Sequence, residues 1–132
     1  MSKIPNKDIP FFDSPVTCGF PSPAQDYIRE RISLDSFLIP HPESTYLLRA
    51  TGDSMCGVGI MEGDLLVVDC YDEARHGDIV IATLEGEFTC KRLLLRPAPC
   101  LMPENPAFSP VPLSDDVETL VFGVVRHVIH SF

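Results

Sequence analysis

A chain of 132 residues is long enough for one domain with a single core and too short for two comfortable ones. Its formal net charge of -9 works against a surface that grips phosphates, which needs clustered Lys and Arg, so direct nucleic-acid binding is not expected. No basic leader precedes an apolar stretch and no run approaches membrane-spanning length, which makes a cytoplasmic protein with no membrane partner the expectation.

Met1 to Phe20 mixes Lys3, Lys7 and Asp8 with Pro5, Pro10 and Pro15, the composition of a flexible or loosely docked arm. Phe11, Phe12, Val16 and Phe20 could seat that arm in a groove as extended chain or pack plainly on the core. Ser22 as N-cap, Pro23 at the first helical position and Gln25 at capping-box spacing predict a short helix, continued by Ile28 and Ile32 four residues apart. Leu34, Phe37, Leu38 and Ile39 bring the chain onto the core, and Pro40, His41 and Pro42 mark a boundary. The expected division is an arm with a short helical segment over residues 1–40 and a core over 41–132.

From Ser44 the pattern becomes short β runs divided by glycine-acid turns. Tyr46 to Ala50 is the first strand; Met61-Glu62-Gly63-Asp64 turns into Leu65 to Asp69, His76-Gly77-Asp78 into Ile79 to Leu84, and Glu85-Gly86 into Glu87 to Leu95. The prolines between Pro97 and Pro112 argue against regular structure there, with a turn at Glu104-Asn105-Pro106, and Thr119 to Ile129 closes the chain as a long strand. The fold class is therefore mainly β.

Within this frame Thr51-Gly52-Asp53-Ser54-Met55-Cys56 places a hydroxyl at a glycine-marked turn directly after a strand. Serine is a poor nucleophile at its free pKa, so Ser54 needs a base. Lys91 is the candidate. Strand alternation puts it on one face with Thr89, Leu93 and Leu95, and such apolar company lowers the pKa of an ammonium, as a lysine base near neutral pH requires. Serine-lysine pairs are a known variant of triad chemistry. The five cysteines, at 18, 56, 70, 90 and 100, form no CxxC pair and no zinc spacing with histidine, so free thiols are expected and no metal or other cofactor.

Gly52-Asp53-Ser54-Met55, Glu62-Gly63-Asp64-Leu65-Leu66-Val67-Val68-Asp69, His76-Gly77-Asp78-Ile79-Val80, Lys91 and Val121-Phe122-Gly123-Val124-Val125 follow one another in an order that resembles UmuD and its relatives. These are the LexA-type self-cleaving serine-lysine peptidases of the bacterial DNA-damage (SOS) response, and the resemblance runs from about Cys18 to about Ile129. It implies a single LexA/UmuD-type peptidase domain of short twisted strands. It also implies Ser54 as nucleophile, Lys91 as base, Cys18-Gly19 as the bond cut, and backbone amides at Asp53 and Ser54 as the oxyanion site. Implied partners are a second copy in a homodimer, a RecA filament on single-stranded DNA, and a UmuC-like Y-family DNA polymerase subunit.

Four other readings stand beside this one. A LexA-type repressor would need a helix-turn-helix domain, for which the 17 residues before Cys18 are too few. A Ser-His-Asp triad finds no carboxylate spaced to orient His76, His127 or His130, and Cys56 has nothing beside it to activate its thiol. The stronger rival is a non-enzymatic dimerisation or polymerase-binding module with the same fold, in which Ser54 and Lys91 are idle.

Overall fold

The computed structural model describes residues 8–12, 16, 18–19, 30–114 and 117–132. The chain divides into two units, Met1–Pro40 and His41–Phe132, each with its own sheet.

In the first unit β1 (Ile9–Phe11) pairs antiparallel with β2 (Glu30–Ile32), setting Ile9 opposite Ile32, and the Arg31 guanidinium donates to the Asp8 carbonyl at 3.0 Å. The helix expected from Ser22 starts in residues 21–29, outside the described ones; its expected end, Glu30–Ile32, is strand instead. The ladder to β1 and the β-branched Ile32 favour that outcome over a marginal helix with a narrow apolar stripe. A helix does form two residues later, α1 (Leu34–Leu38), where the Ser33 hydroxyl accepts from the Ser36 amide at 3.3 Å and Asp35 sits in the favourable first turn.

The second unit is a seven-stranded antiparallel sheet. Its strands are β3 (Thr45–Arg49), β4 (Leu65–Asp69), β5 (Ile79–Leu84), β6 (Glu87–Leu94), β7 (Cys100–Met102), β8 (Val111–Pro112) and β9 (Val121–Ile129), in spatial order β3-β4-β9-β5-β6-β7-β8. The last strand thus lies between β4 and β5 and ties the half that ends in Ser54 to the half that carries Lys91. β5 and β6 form a hairpin whose two loop residues, Glu85 (φ 52) and Gly86 (φ 79), are both left-handed, as a tight turn matched to strand twist requires.

The unbroken apolar run of β5 has a direct cause. Ile81 belongs to a core with Met55, Ile60, Leu66 and Val68, whereas its neighbours Val80 and Ala82 belong to another with Leu93, Leu101 and Val124. β5 is buried on both faces and cannot alternate with polar residues. Each fully buried Leu, Ile or Val side chain contributes about 1.5–3 kcal/mol, so these ten residues dominate the stability of the unit.

Two sequence expectations are corrected. The proline-broken stretch contains β7 and β8: Cys100-Leu101-Met102 has no proline within it, Leu101 is fully buried, and Pro112 sits on the outermost strand, where its missing N–H costs nothing. The closing strand starts at Val121 rather than Thr119, because α2 (Val117–Leu120) takes the preceding turn and packs Val117 against the second core. Among the described residues no helix is long and apolar enough to cross a membrane.

Candidate active site

Ser54 lies in the irregular turn that follows β3, after Gly52 at φ 80, and leads into a short 3-10 turn at Cys56–Val58. Met55, its neighbour, is 3% exposed and inserts into the first core, so burial of one side chain fixes where the adjacent hydroxyl stands. Lys91 lies on β6, whose alternation sends Leu93 into the second core and Cys90 against the first.

These two side chains, 37 residues apart in sequence, meet: Lys91 Nζ is 3.0 Å from Ser54 Oγ. The same amine also donates to Thr89 Oγ1 at 2.8 Å and to the Cys90 carbonyl at 3.1 Å. Three neighbours decide what each protonation state can do. An ammonium donates one hydrogen to each. A neutral amine has two hydrogens, which Thr89 and the Cys90 carbonyl can take, and its single lone pair is left for the Ser54 hydroxyl.

The pair lies in a cleft of about 260 Å³ lined also by Thr51, Gly52, Thr89 and Cys90 and by the apolar Met55, Ile60, Ile81 and Phe88. Partial burial in this cleft lowers the pKa of Lys91 below its ordinary 10.5. A Cys90 thiolate would oppose that shift, but burial pushes the Cys90 thiol up to about 11. Desolvation is the larger of the two effects on Lys91 and sets the direction of its shift.

Cys18 and Gly19 belong to the other unit, where they form a bend; Cys18 is exposed, and nothing stands within 4 Å of where a Gly19 Cβ would be. Asp53 is a turn residue whose carbonyl accepts from the Cys56 amide at 3.2 Å, while the amides of Asp53 and Ser54 have no acceptor among the described residues.

The histidines were read incompletely from sequence. Two of them do have carboxylate partners: His41 Nδ1 is 2.7 Å from Asp69 Oδ2, with its ring stacked on Tyr71, and His130 Nδ1 is 2.6 Å from Asp64 Oδ1. Neither pair lines the Ser54 cleft, which has no histidine in its wall. His76 Nδ1 accepts from the Leu95 amide at 2.8 Å. Asp64 is held below the usual carboxylate range by the Met61 amide and by His130. For Asp69 burial works upward, but His41 and the Tyr71 amide outweigh it and hold this carboxyl low as well.

Sequence reasoning also missed what holds the serine turn in place. The Glu104 amide donates to the Ser54 carbonyl and the Gly57 amide to the Glu104 carbonyl, both at 2.8 Å, and Asn105 Nδ2 donates to the Asp53 carbonyl at 3.0 Å. A Cβ on Gly57 would lie 2.4 Å from the Glu104 oxygen, so only glycine admits this approach. The available signal was the turn at Glu104-Asn105-Pro106, where Asn105 Oδ1 accepts from the Ala107 amide at 3.0 Å; nothing in the sequence tied that turn to Ser54.

Comparison with known proteins identifies the family of the chain. Residues 10–126 match the family described as Peptidase S24-like. The chain belongs to that family. It is 49% identical over 127 residues to Protein ImpA of Salmonella typhimurium, covering 92% of this chain and 83% of that one. It is 48% identical over 120 residues to Protein MucA of Escherichia coli, covering 90% and 82%. Similarity to the LexA repressor of Shewanella woodyi is lower, 36% over 118 residues, covering 85% of this chain and 57% of the repressor. Within the Peptidase S24-like family the chain is thus UmuD-like, and its mainly β core is the fold that the resemblance implied.

Proposed function

We propose that the chain cuts itself at Cys18-Gly19 in response to DNA damage, and that the product beginning at Gly19 serves as an accessory subunit of an error-prone translesion DNA polymerase. The observation that carries this reading is the 3.0 Å contact between Ser54 Oγ and Lys91 Nζ in a half-buried cleft of a UmuD-like member of the Peptidase S24-like family.

Neutral Lys91 accepts the Ser54 proton as Oγ attacks the carbonyl carbon of Cys18. The carbonyl oxygen becomes an oxyanion, stabilised by the backbone amides of Asp53 and Ser54; each such donor is worth roughly 3 kcal/mol. Lys91, now an ammonium, protonates the Gly19 nitrogen as the peptide bond breaks, leaving Cys18 esterified to Ser54. Water then attacks the ester with Lys91 again as base, and both the serine and the amine return to their starting states. A tethered substrate supplies high effective concentration without a deep specificity pocket. Control falls to how often the arm adopts the productive pose, which a RecA filament on single-stranded DNA promotes. The processed protein acts as a homodimer that binds a UmuC-like polymerase subunit.

The test is intact mass after incubation at raised pH, with and without a RecA filament on single-stranded DNA. The expected product begins at Gly19, forms faster with the filament, and does not form from Ser54→Ala. Equal cutting by Ser54→Ala removes Ser54 from the chemistry, and a wild-type chain that stays whole under every condition makes the protein a non-enzymatic dimerisation module.

A further inference from the structure

We propose that Glu104 is a positioning residue for the Ser54–Lys91 pair, joining the turn that carries the nucleophile to the strand that carries the base. The inference rests on the assignment of those two roles in the preceding section.

The serine turn belongs to no strand, so what fixes it relative to β6 must come from elsewhere. Glu104 grips it from both sides through the main chain, donating to the Ser54 carbonyl and accepting from the Gly57 amide. The carboxylate of the same residue, at Oε1, accepts from Arg92 Nε, and Arg92 is the residue after Lys91 on β6. Arg92 is anchored in turn: Nη1 donates to the Gly77 carbonyl, and the Gly77 amide donates to the Leu93 carbonyl at 2.7 Å. Among the described residues, the only other hydrogen bond from residues 51–58 to β6 is the Ser54–Lys91 contact itself. Hydrogen-bonded registration of nucleophile against base therefore centres on Glu104, with Asn105 on the Asp53 carbonyl and Met55 buried in the first core beside it.

Exposure separates this role from plain stabilisation. The Arg92 and Glu104 side chains are 29% and 30% exposed. Ion pairs near the surface contribute about 0–1 kcal/mol. Removing the carboxylate thus leaves the fold nearly as stable, while a shift of about 1 Å between reacting groups costs on the order of 100-fold in rate. The effect appears in the chemistry before it appears in the melt.

The experiment follows self-cleavage of the full chain against pH for wild type, Glu104→Ala, Glu104→Gln and Arg92→Ala, at a temperature where melting curves show each variant folded. Glu104→Ala is expected to lower the high-pH plateau about tenfold, on the scale of a displacement of a few tenths of an ångström. Its midpoint should also move to higher pH, because loosening the cleft lets water reach Lys91, whose burial is the larger cause of its lowered pKa; Ser54 and Thr89 carry no charge, and the Cys90 thiol, pushed up to about 11, favours the ammonium only once ionised. Loss of a negative charge alone would move the midpoint the other way. Glu104→Gln keeps an acceptor for Arg92 and should cut within about twofold of wild type, and combining Glu104→Ala with Arg92→Ala should be no slower than either alone. Should Glu104→Ala fail to fold, Arg92→Ala reads the same link with the loop and its backbone bonds intact. A wild-type plateau and midpoint in Glu104→Ala, or in Arg92→Ala where it substitutes, overturns the proposal, as does a rate loss that only tracks the unfolded fraction with the midpoint unmoved. A Ser54→Ala chain that still cuts instead overturns the catalytic assignment and leaves these outcomes distinct.

Discussion

Gly57→Ala is the most discriminating small change available, because the one added carbon meets main chain rather than a side chain that can swing away. Its Cβ would stand 2.4 Å from the Glu104 oxygen, and real Cβ contacts essentially never fall under 3.0 Å, so the loop or the serine turn must give by at least about 0.6 Å. Replacing glycine by alanine restricts the unfolded chain and on that ground stabilises by about 0.4–1 kcal/mol. Forcing backbone apart in a packed site costs about 1–3 kcal/mol, and the 2.8 Å bond from the Gly57 amide to the Glu104 carbonyl is strained as well. The clash wins, for a net loss of about 1–2 kcal/mol and a melting temperature several degrees lower. The rate should fall further than stability does. A catalytic constellation tolerates about 0.5 Å, so a displacement of this size predicts self-cleavage slowed roughly tenfold in protein that is still folded. Thermal melting and a gel assay of cleavage on the same sample check both. A variant with wild-type melting and wild-type cutting would show that Glu104 does not press on the serine turn, and the site as built from these contacts would be wrong.

At Gly19 a bulky replacement such as Gly19→Trp should block the cut and leave the core folded; unchanged cleavage on a gel would dismiss the assigned bond. Acid stability should depend on the two histidine-carboxylate pairs. Asp64 and Asp69 are both held below the ordinary 3.8, so each contributes stability that is complete above that value and is lost as pH falls through the depressed one. His130→Ala or His41→Ala removes a partner, brings the folded value back toward 3.8, and should make acid unfolding, followed by circular dichroism, begin at higher pH than in wild type.

What the sequence disclosed, and what it hid, follows from how far each signal reaches. The strand runs Leu65–Asp69 and Ile79–Leu84 were legible because local turn chemistry brackets them and because β5, buried on both faces, had to be apolar throughout. Turn and strand pattern suggested Ser54 and Lys91 as a pair only weakly, since 37 residues separate them and neither residue type is rare, and the resemblance sharpened it. The histidine partners lie 28 and 66 residues away, and no local pattern announces a contact closed by a sheet. Glu104 read as a turn residue and nothing more. Prolines hid β7 and β8 because they border one and occupy the outer edge of the other. Glu30–Ile32 read as helix because the strand that recruits it lies some twenty residues earlier.

The claim on which the chemistry depends is that an uncharged lysine takes the serine proton. Its most direct test pairs the pH dependence of self-cleavage with the titration of Lys91 itself, followed by NMR in Ser54→Ala, where the chain stays whole. The rate should rise with pH through a single midpoint, below the ordinary lysine value of 10.5, and the Lys91 side chain should titrate on the same side of that value. A rate that is flat across this range, or a Lys91 that remains an ammonium at pH values where cleavage is already at its plateau, would contradict it.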